Sequence, residues 1–288
     1  MPLIEKNWKI EFDTYMMQTE PSRTEKSELW QVAIGLQQVD GLSTSDYLLN
    51  IAKEHIEGKI TIGEVQHRLI LYYKDCFGRM DYEDETREAD LVAARITELL
   101  GEQTFQFSPK ELQIIHRRLF SDILLDAGTF RTYNISKKEW ILEGKSVLYA
   151  SWQSIPETLD YDFQQEKNFS YESLSTQESI AHFAKFAAGI WQIHPFCEGN
   201  TRTTAIFLIR YLRTFGFAIG STAFKNDSWY FRNALVRANY TDMLSGIHAT
   251  TAYLERFLQN LLLGTNHPLQ NRDLHINAKT SSANINRV

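Results

Sequence analysis

The sequence predicts an all-α protein: a helical core carrying one small β-hairpin, preceded by an N-terminal helical module. Two observations carry this. Apolar residues recur every three or four positions in most long segments, and capping or stop residues stand at the segment ends. A third, the β-rich stretch Thr129–Tyr149, is the one clear break in that texture. The 288 residues are 43% hydrophobic and 12% aromatic, enough to bury a substantial core. The expected divisions are residues 1–85 for the N-terminal module, 86–264 for the core domain and 265–288 for a flexible polar tail.

In the N-terminal module Leu29, Val32, Ala33 and Leu36 mark one buried helical face, and Asp40-Gly41 stops it. Ser43-Thr44-Ser45-Asp46 offers side-chain oxygens to cap a second helix with Tyr47, Leu48, Ile51 and Ala52, which ends at Gly58. Thr61 and Glu64 form the signature of a capping box for a third helix, burying Val65, Leu69, Tyr72 and Tyr73. The charged patch Asp81 to Asp90 leads into a helix with Leu91, Ala94, Ile96 and Leu99, and Glu83 to Asp90 reads as a solvated face rather than a metal site. Ser108-Pro109 opens the next helix, cap followed by first-turn proline, with Leu112, Ile115, Leu119 and Phe120 inside. Trp140-Ile141-Leu142 and Val147-Leu148-Tyr149 flank Glu143-Gly144-Lys145 as a hairpin. Helical texture resumes over Glu178–Trp191, Thr201–Phe215, Trp229–Tyr240 and Thr250–Leu263.

Charge and cysteine content narrow the function. A net charge of −6 and a pI near 5.8 argue against a nucleic-acid binder, which needs a concentrated basic face. Nothing approaches 18 consecutive apolar residues, so no membrane span is expected. Met1 to Lys6 lacks an apolar signal core, and a cytoplasmic location is expected. Cys76 and Cys197 are too few for a disulfide framework or a thiolate zinc site. Cys197 reads as a free thiol rather than a nucleophile.

The stretch that carries chemistry is His194-Pro195-Phe196-Cys197-Glu198-Gly199-Asn200-Thr201-Arg202. His194 ends a buried helical face, Pro195 forces a turn, and an apolar helix follows. A loop at the mouth of a helix gathers free N–H groups and the positive end of the helix dipole, an anion site. Gly199 lets the backbone approach a phosphate, and Asn200 and Arg202 add directed donors. Glu198 is a hard ligand for Mg²⁺ shared with phosphates, and His194 can accept a proton from an attacking hydroxyl. Six such positions coincide by chance on the order of once in 10⁵ chains of this length.

The motif resembles the signature HxFx(D/E)GNxR of the Fic (Fic/Doc) family, and the likeness extends from about Phe107 to Leu263. The resemblance implies a compact all-α core with a β-hairpin flap, Mg²⁺ as cofactor and ATP as substrate. The implied activity is protein adenylyltransferase, moving AMP onto a Ser, Thr or Tyr hydroxyl of a target protein. It makes His194 the general base, Glu198 the Mg²⁺ ligand, and Gly199, Asn200, Thr201 and Arg202 the phosphate anion hole, with Phe196 a core anchor. The target would dock on the flap formed by Trp140, Ile141, Leu142, Val147, Leu148 and Tyr149. Tyr230 stands equally for the adenine wall and for core packing. Many members carry a second Arg three residues after the first; here that position is Ala205. Two alternatives therefore stay open: a nucleotide-binding interaction module with little transferase activity, or a Fic transferase using another phosphate-containing donor. Asp40-Gly41 resembles the inhibitory (S/T)xxxE(G/N) helix of Fic antitoxins, with Asp40 in place of Glu and its expected partner replaced by Ala205. On that basis Asp40 is a candidate inhibitory residue that covers the cleft sterically; a plain packing module is the other reading. The implied partner is a protein target, with no nucleic acid or membrane, and a homo-oligomer is left open.

Overall fold

The computed structural model describes residues 21–76 and 86–277. Ten α-helices are found among them, and no strand: α1 (Arg23–Gly35), α2 (Asp46–Ile56), α3 (Ile62–Cys76), α4 (Arg87–Gly101), α5 (Pro109–Phe120), α6 (Ile155–Asn168), α7 (Thr176–Ile193), α8 (Asn200–Thr214), α9 (Thr222–Ala238) and α10 (Ala252–Leu263). The only β contact among the described residues is the isolated bridge between Asp242 and Ile247. The acidic run before Asp90 and the ends of the chain lie in part outside the described residues.

The capping chemistry read from sequence appears at each expected start. Ser45 Oγ accepts from Leu48 N at 3.1 Å, Thr61 Oγ1 from Glu64 N at 3.2 Å, and Ser108 Oγ from Glu111 N at 3.2 Å. Each satisfies an amide that the helix cannot. Helix α8 is the hub, with all thirteen residues from Asn200 to Leu212 buried. The aromatic cluster of Phe107, Phe163, Phe186, Phe207 and Tyr211 packs around its second half. Ring pairs of this kind add about 0.5–1.5 kcal/mol each beyond area burial.

The N-terminal module is continuous with this core. Gly35 explains how closely α1 packs on α9: a Cβ there would stand 2.3 Å from the Phe224 carbonyl oxygen. The chain then tightens into a 3₁₀ turn over Leu36–Asp40, ended by Gly41 in the left-handed region (φ 73°). Asp90 on α4, fully buried, accepts from Ser45 N at 2.8 Å and from Tyr73 OH at 2.6 Å, which ties α2 and α3 to the core.

The expected hairpin at 140–149 is not a hairpin. Trp140–Leu142 bends into a 3₁₀ turn, closed by Glu143 and Gly144 at φ 54° and 80°. Glu139 N donates to Lys145 O, but the next position outward fails: Lys137 N turns to the Ser146 hydroxyl. On the returning limb, the carbonyls of Leu148 and Ala150 accept from the side chains of Gln192 and Arg131. Side chains therefore take acceptors that a ladder would need. Ile141, Leu142, Val147 and Tyr149 are buried, whereas Trp140 and Leu148 are exposed.

Two further differences concern packing. Helix α6 was not foreseen, and α9 begins seven residues earlier than expected, with a kink at Asp227 (φ −128°). The expected tail is docked as far as the structure describes it. Leu274 is fully buried, Ile276 N donates to Ile141 O at 2.9 Å, and Tyr253 OH donates to Asp273 O. Leu269 and Ile276 pack against the core beside Leu274, so a few apolar side chains anchor this polar stretch.

Candidate active site

The loop between α7 and α8 is built from inside outward. His194 is the C-cap of α7 in the left-handed conformation, at φ 50° and ψ 60°, and is 3% exposed. Its Nδ1 lies 3.2 Å from the Trp191 carbonyl oxygen. That acceptor requires the proton on Nδ1, leaving the Nε2 lone pair as the basic site. Tyr149 packs on the ring at 4.3 Å and Trp191 edge-on at 5.2 Å. Burial, then the positive charge of Lys137, holds the imidazole well below its usual pKa, so it is neutral at pH 7.

Two buried residues that the sequence reading did not single out hold this loop. Arg131 is 2% exposed, and its guanidinium donates to the carbonyls of His194 (2.8 Å), Tyr133 (2.8 Å), Ile193 (3.2 Å) and Ala150 (2.5 Å). A planar fork of five N–H donors suits such a cage of carbonyls, and an ammonium does not. His116, 1% exposed, stacks on Phe196 at 3.8 Å. Gly128 N donates to its Nδ1 at 2.8 Å, so the proton sits on Nε2, which donates to the Glu198 carbonyl at 3.0 Å. In a planar trans peptide, a Glu198 carbonyl aimed at His116 aims the Gly199 N–H to the opposite side. Both residues stand far from the motif in sequence, and neither has a local signature. Their only signal is a polar residue on an otherwise apolar face, as with His116 between Ile115 and Leu119.

Gly199 is the N-cap of α8 at φ 72°. Its need for glycine is not the one expected: a Cβ would stand 2.4 Å from Phe120 Cε2, so the ring, rather than a phosphate, occupies that side. The first closing bond of α8 is Thr203 N to Gly199 O at 3.0 Å, which leaves the amides of the first turn without intrahelical acceptors. Open first-turn amides and the positive end of a helix dipole attract anions.

The motif side chains are largely engaged within the fold. Asn200 Oδ1 accepts from Phe196 N at 3.0 Å and its Nδ2 donates to Phe196 O at 2.8 Å. Asn200 therefore closes the loop on itself, and its carboxamide is engaged there instead of being open to a ligand as expected. Thr201 Oγ1 accepts from Trp191 Nε1 at 3.0 Å. Arg202, 3% exposed, lies over the Phe120 ring and donates to Gln37 Oε1 at 3.1 Å and to Glu88 Oε1 at 2.6 Å. Its Nε lies 2.8 Å from Asp40 Oδ2, an ion pair without hydrogen-bond alignment. Asp40 thus does meet an arginine, the first one of the motif instead of the missing second. Ala205 is fully buried.

Glu198 is the exposed member, and its Oε2 accepts from Lys137 Nζ at 2.7 Å. No cluster of three or more His, Cys, Asp or Glu side chains fit to hold a metal occurs among the described residues. A single exposed carboxylate does fit Mg²⁺ held jointly with substrate phosphates. Cys197 is a free thiol receiving Tyr133 OH at 3.3 Å; burial raises its pKa, unlike a nucleophile's. Tyr230 is 1% exposed and belongs to the core, so it forms no open adenine wall.

The site thus sets a neutral buried imidazole on the loop that runs into an open helix N-terminus, on an all-α scaffold. Residues 106–212 match the model of the Fic/DOC family, so this part of the chain carries a Fic/DOC domain. The chain is 28% identical over 160 residues to the probable protein adenylyltransferase y4lH of Sinorhizobium fredii, a match covering 52% of this chain and 73% of that protein. A Fic family protein from Desulfovibrio desulfuricans G20 superposes with a TM-score of 0.52 at 13% identity, over 86% of this chain and 68% of that one. The N-terminal FIC domain of Bep8 from Bartonella sp. 1-1C gives 0.48 at 18% identity, over 64% and 88%. No described helix is long and apolar enough to cross a membrane.

Proposed function

We propose that the protein is a protein adenylyltransferase, moving AMP from ATP to a side-chain hydroxyl of a target protein. The observation that carries this is the neutral His194, with Nε2 left as its basic site, on the loop that runs into the open amides of α8. The likeness to a probable protein adenylyltransferase supports the same choice of reaction. His194 accepts the hydroxyl proton as the new O–P bond forms, and pyrophosphate leaves as the old one breaks. The amides of Gly199 to Arg202 stabilise the charge on the phosphoryl oxygens. Glu198 would hold Mg²⁺ together with the phosphates, which supplies charge neutralisation there. Leu148 is exposed on a cleft of about 560 Å³ lined by residues 134–136 and 146–151, which suits an extended target segment. Incubation with labelled ATP and Mg²⁺ tests the reading: His194→Ala should lose about 100-fold or more of transfer. Unchanged labelling would refute it.

The contacts of Arg202 support a second, regulatory statement: the resting enzyme is restrained. Asp40, Gln37 and Glu88 occupy the one motif arginine, so a phosphate must compete with two carboxylates for it. Asp40→Ala should raise transfer about tenfold, the worth of one half-buried ion pair. A rate at or below that of the parent would remove the brake and leave Leu36–Asp40 a packing element.

A further inference from the structure

The site has a charge problem. Ala205, one turn after Arg202, is buried and brings no charge, and the polar side chains of this motif are turned inward: Asn200 pairs with Phe196, Thr201 accepts from Trp191, and Arg202 reaches Asp40, Gln37 and Glu88. A triphosphate carries several negative charges, and backbone amides alone give it no full positive charge. Three cations act electrostatically on His194: Lys137, Arg131 and Arg232. Arg131 is consumed by four carbonyls. Arg232 is held by both oxygens of Glu139, at 2.6 and 3.1 Å, and Glu139 is itself 1% exposed. Neither can turn to a ligand without stranding a buried group.

Lys137 differs from both. It is partly exposed, its stem is flexible, and its ammonium lies 2.7 Å from Oε2 of Glu198, the residue immediately before Gly199. Its backbone is anchored, N to Ser146 Oγ at 3.2 Å, so the side chain alone needs to move. Resting on the adenylyl-transfer reading, we propose that Lys137 is the phosphate-binding cation of this enzyme. It would supply the full positive charge that the motif side chains do not offer and engage the β- and γ-phosphates of ATP. The partner it must leave is Glu198, the same carboxylate that the nucleotide-bound Mg²⁺ draws away. Lys137 and Glu198 thus neutralise each other in the resting site and are recruited together by the metal nucleotide. The site residue comes from the 131–149 segment instead of the motif helix, where the sequence signature does not look.

Calorimetric titration tests this with the full chain, using the ATP analogue AMPPNP and AMP as probes, each with Mg²⁺. Lys137→Gln should weaken AMPPNP binding about tenfold or more, leave AMP binding unchanged, and be rescued by Lys137→Arg. The neighbouring exposed Lys138→Gln should change neither. Equal losses for AMPPNP and AMP, or no loss, would overturn the proposal; equal losses would make Lys137 a loop support only. The same titrations on Asp40→Ala separate the brake from the binding site. If neither the parent nor Asp40→Ala binds either nucleotide, the adenylyl-transfer reading itself falls.

Discussion

Acid should loosen the loop between α7 and α8 through His116, and the size of the effect follows from its contacts. The ring is 1% exposed, with Nδ1 accepting from Gly128 N and Nε2 donating to Glu198 O. Protonation puts a second N–H on Nδ1, directly facing the N–H of Gly128, while the Glu198 bond persists. Burial pushes the pKa down to about 4 in the folded protein, against about 6.5 when unfolded. The unfolded chain therefore binds the proton more tightly between those values. Stability is full above about pH 6.5 and falls as the pH drops towards 4. Over pH 7 to 5 the linkage relation gives a loss of about 2 kcal/mol from this one group. His194, whose pKa is also lowered, adds in the same direction. Urea unfolding at the two pH values measures the total. Histidine-selective NMR at pH 5 should show His116 still as the neutral Nε2–H tautomer. A His116 resonance that titrates near 6.5, or a protein equally stable at both pH values, would refute the reasoning.

Two substitutions test the rest of the loop. Gly199→Ala places a methyl 2.4 Å from Phe120 in a left-handed backbone, and should cost about 2–4 kcal/mol in urea midpoint analysis. Adding Phe120→Leu should return the steric share and not the backbone share. Arg131→Lys retains the charge but cannot serve four carbonyls, so it should lose about 2 kcal/mol or more. Stability equal to that of the parent would show that the cage around His194 holds without it.

The helices that sequence marked well are those with a continuous apolar stripe and a defined cap, such as α5 with Ser108-Pro109 and α7 ending at His194. Helix α6 escaped because only Ile155, Leu159, Phe163 and Glu166 face inward from a polar segment, one of them a carboxylate. Glu166 is buried because Tyr211 (2.7 Å), His182 (2.6 Å) and Tyr171 supply its partners, and those come from other parts of the chain. The 140–149 stretch had strand-like composition, yet Gln192 and Arg131 compete for its carbonyls, and no local pattern records that.

Sequence by itself determined the chemistry available here: an imidazole, a carboxylate and a glycine, in an order that sets them at the open amides of a buried helix. Which groups are free to use it was decided by tertiary structure. Gln37 and Asp40 reach Arg202 together because residues three apart in a 3₁₀ turn point the same way, and Gly35 lets that turn come close. Asn200 turns back on Phe196, His116 aims the Gly199 amide, and Lys137 arrives from 61 positions away. Hydrogen bonds and ion pairs act over about 3 Å of space whatever the separation along the chain, so only folding could choose among them.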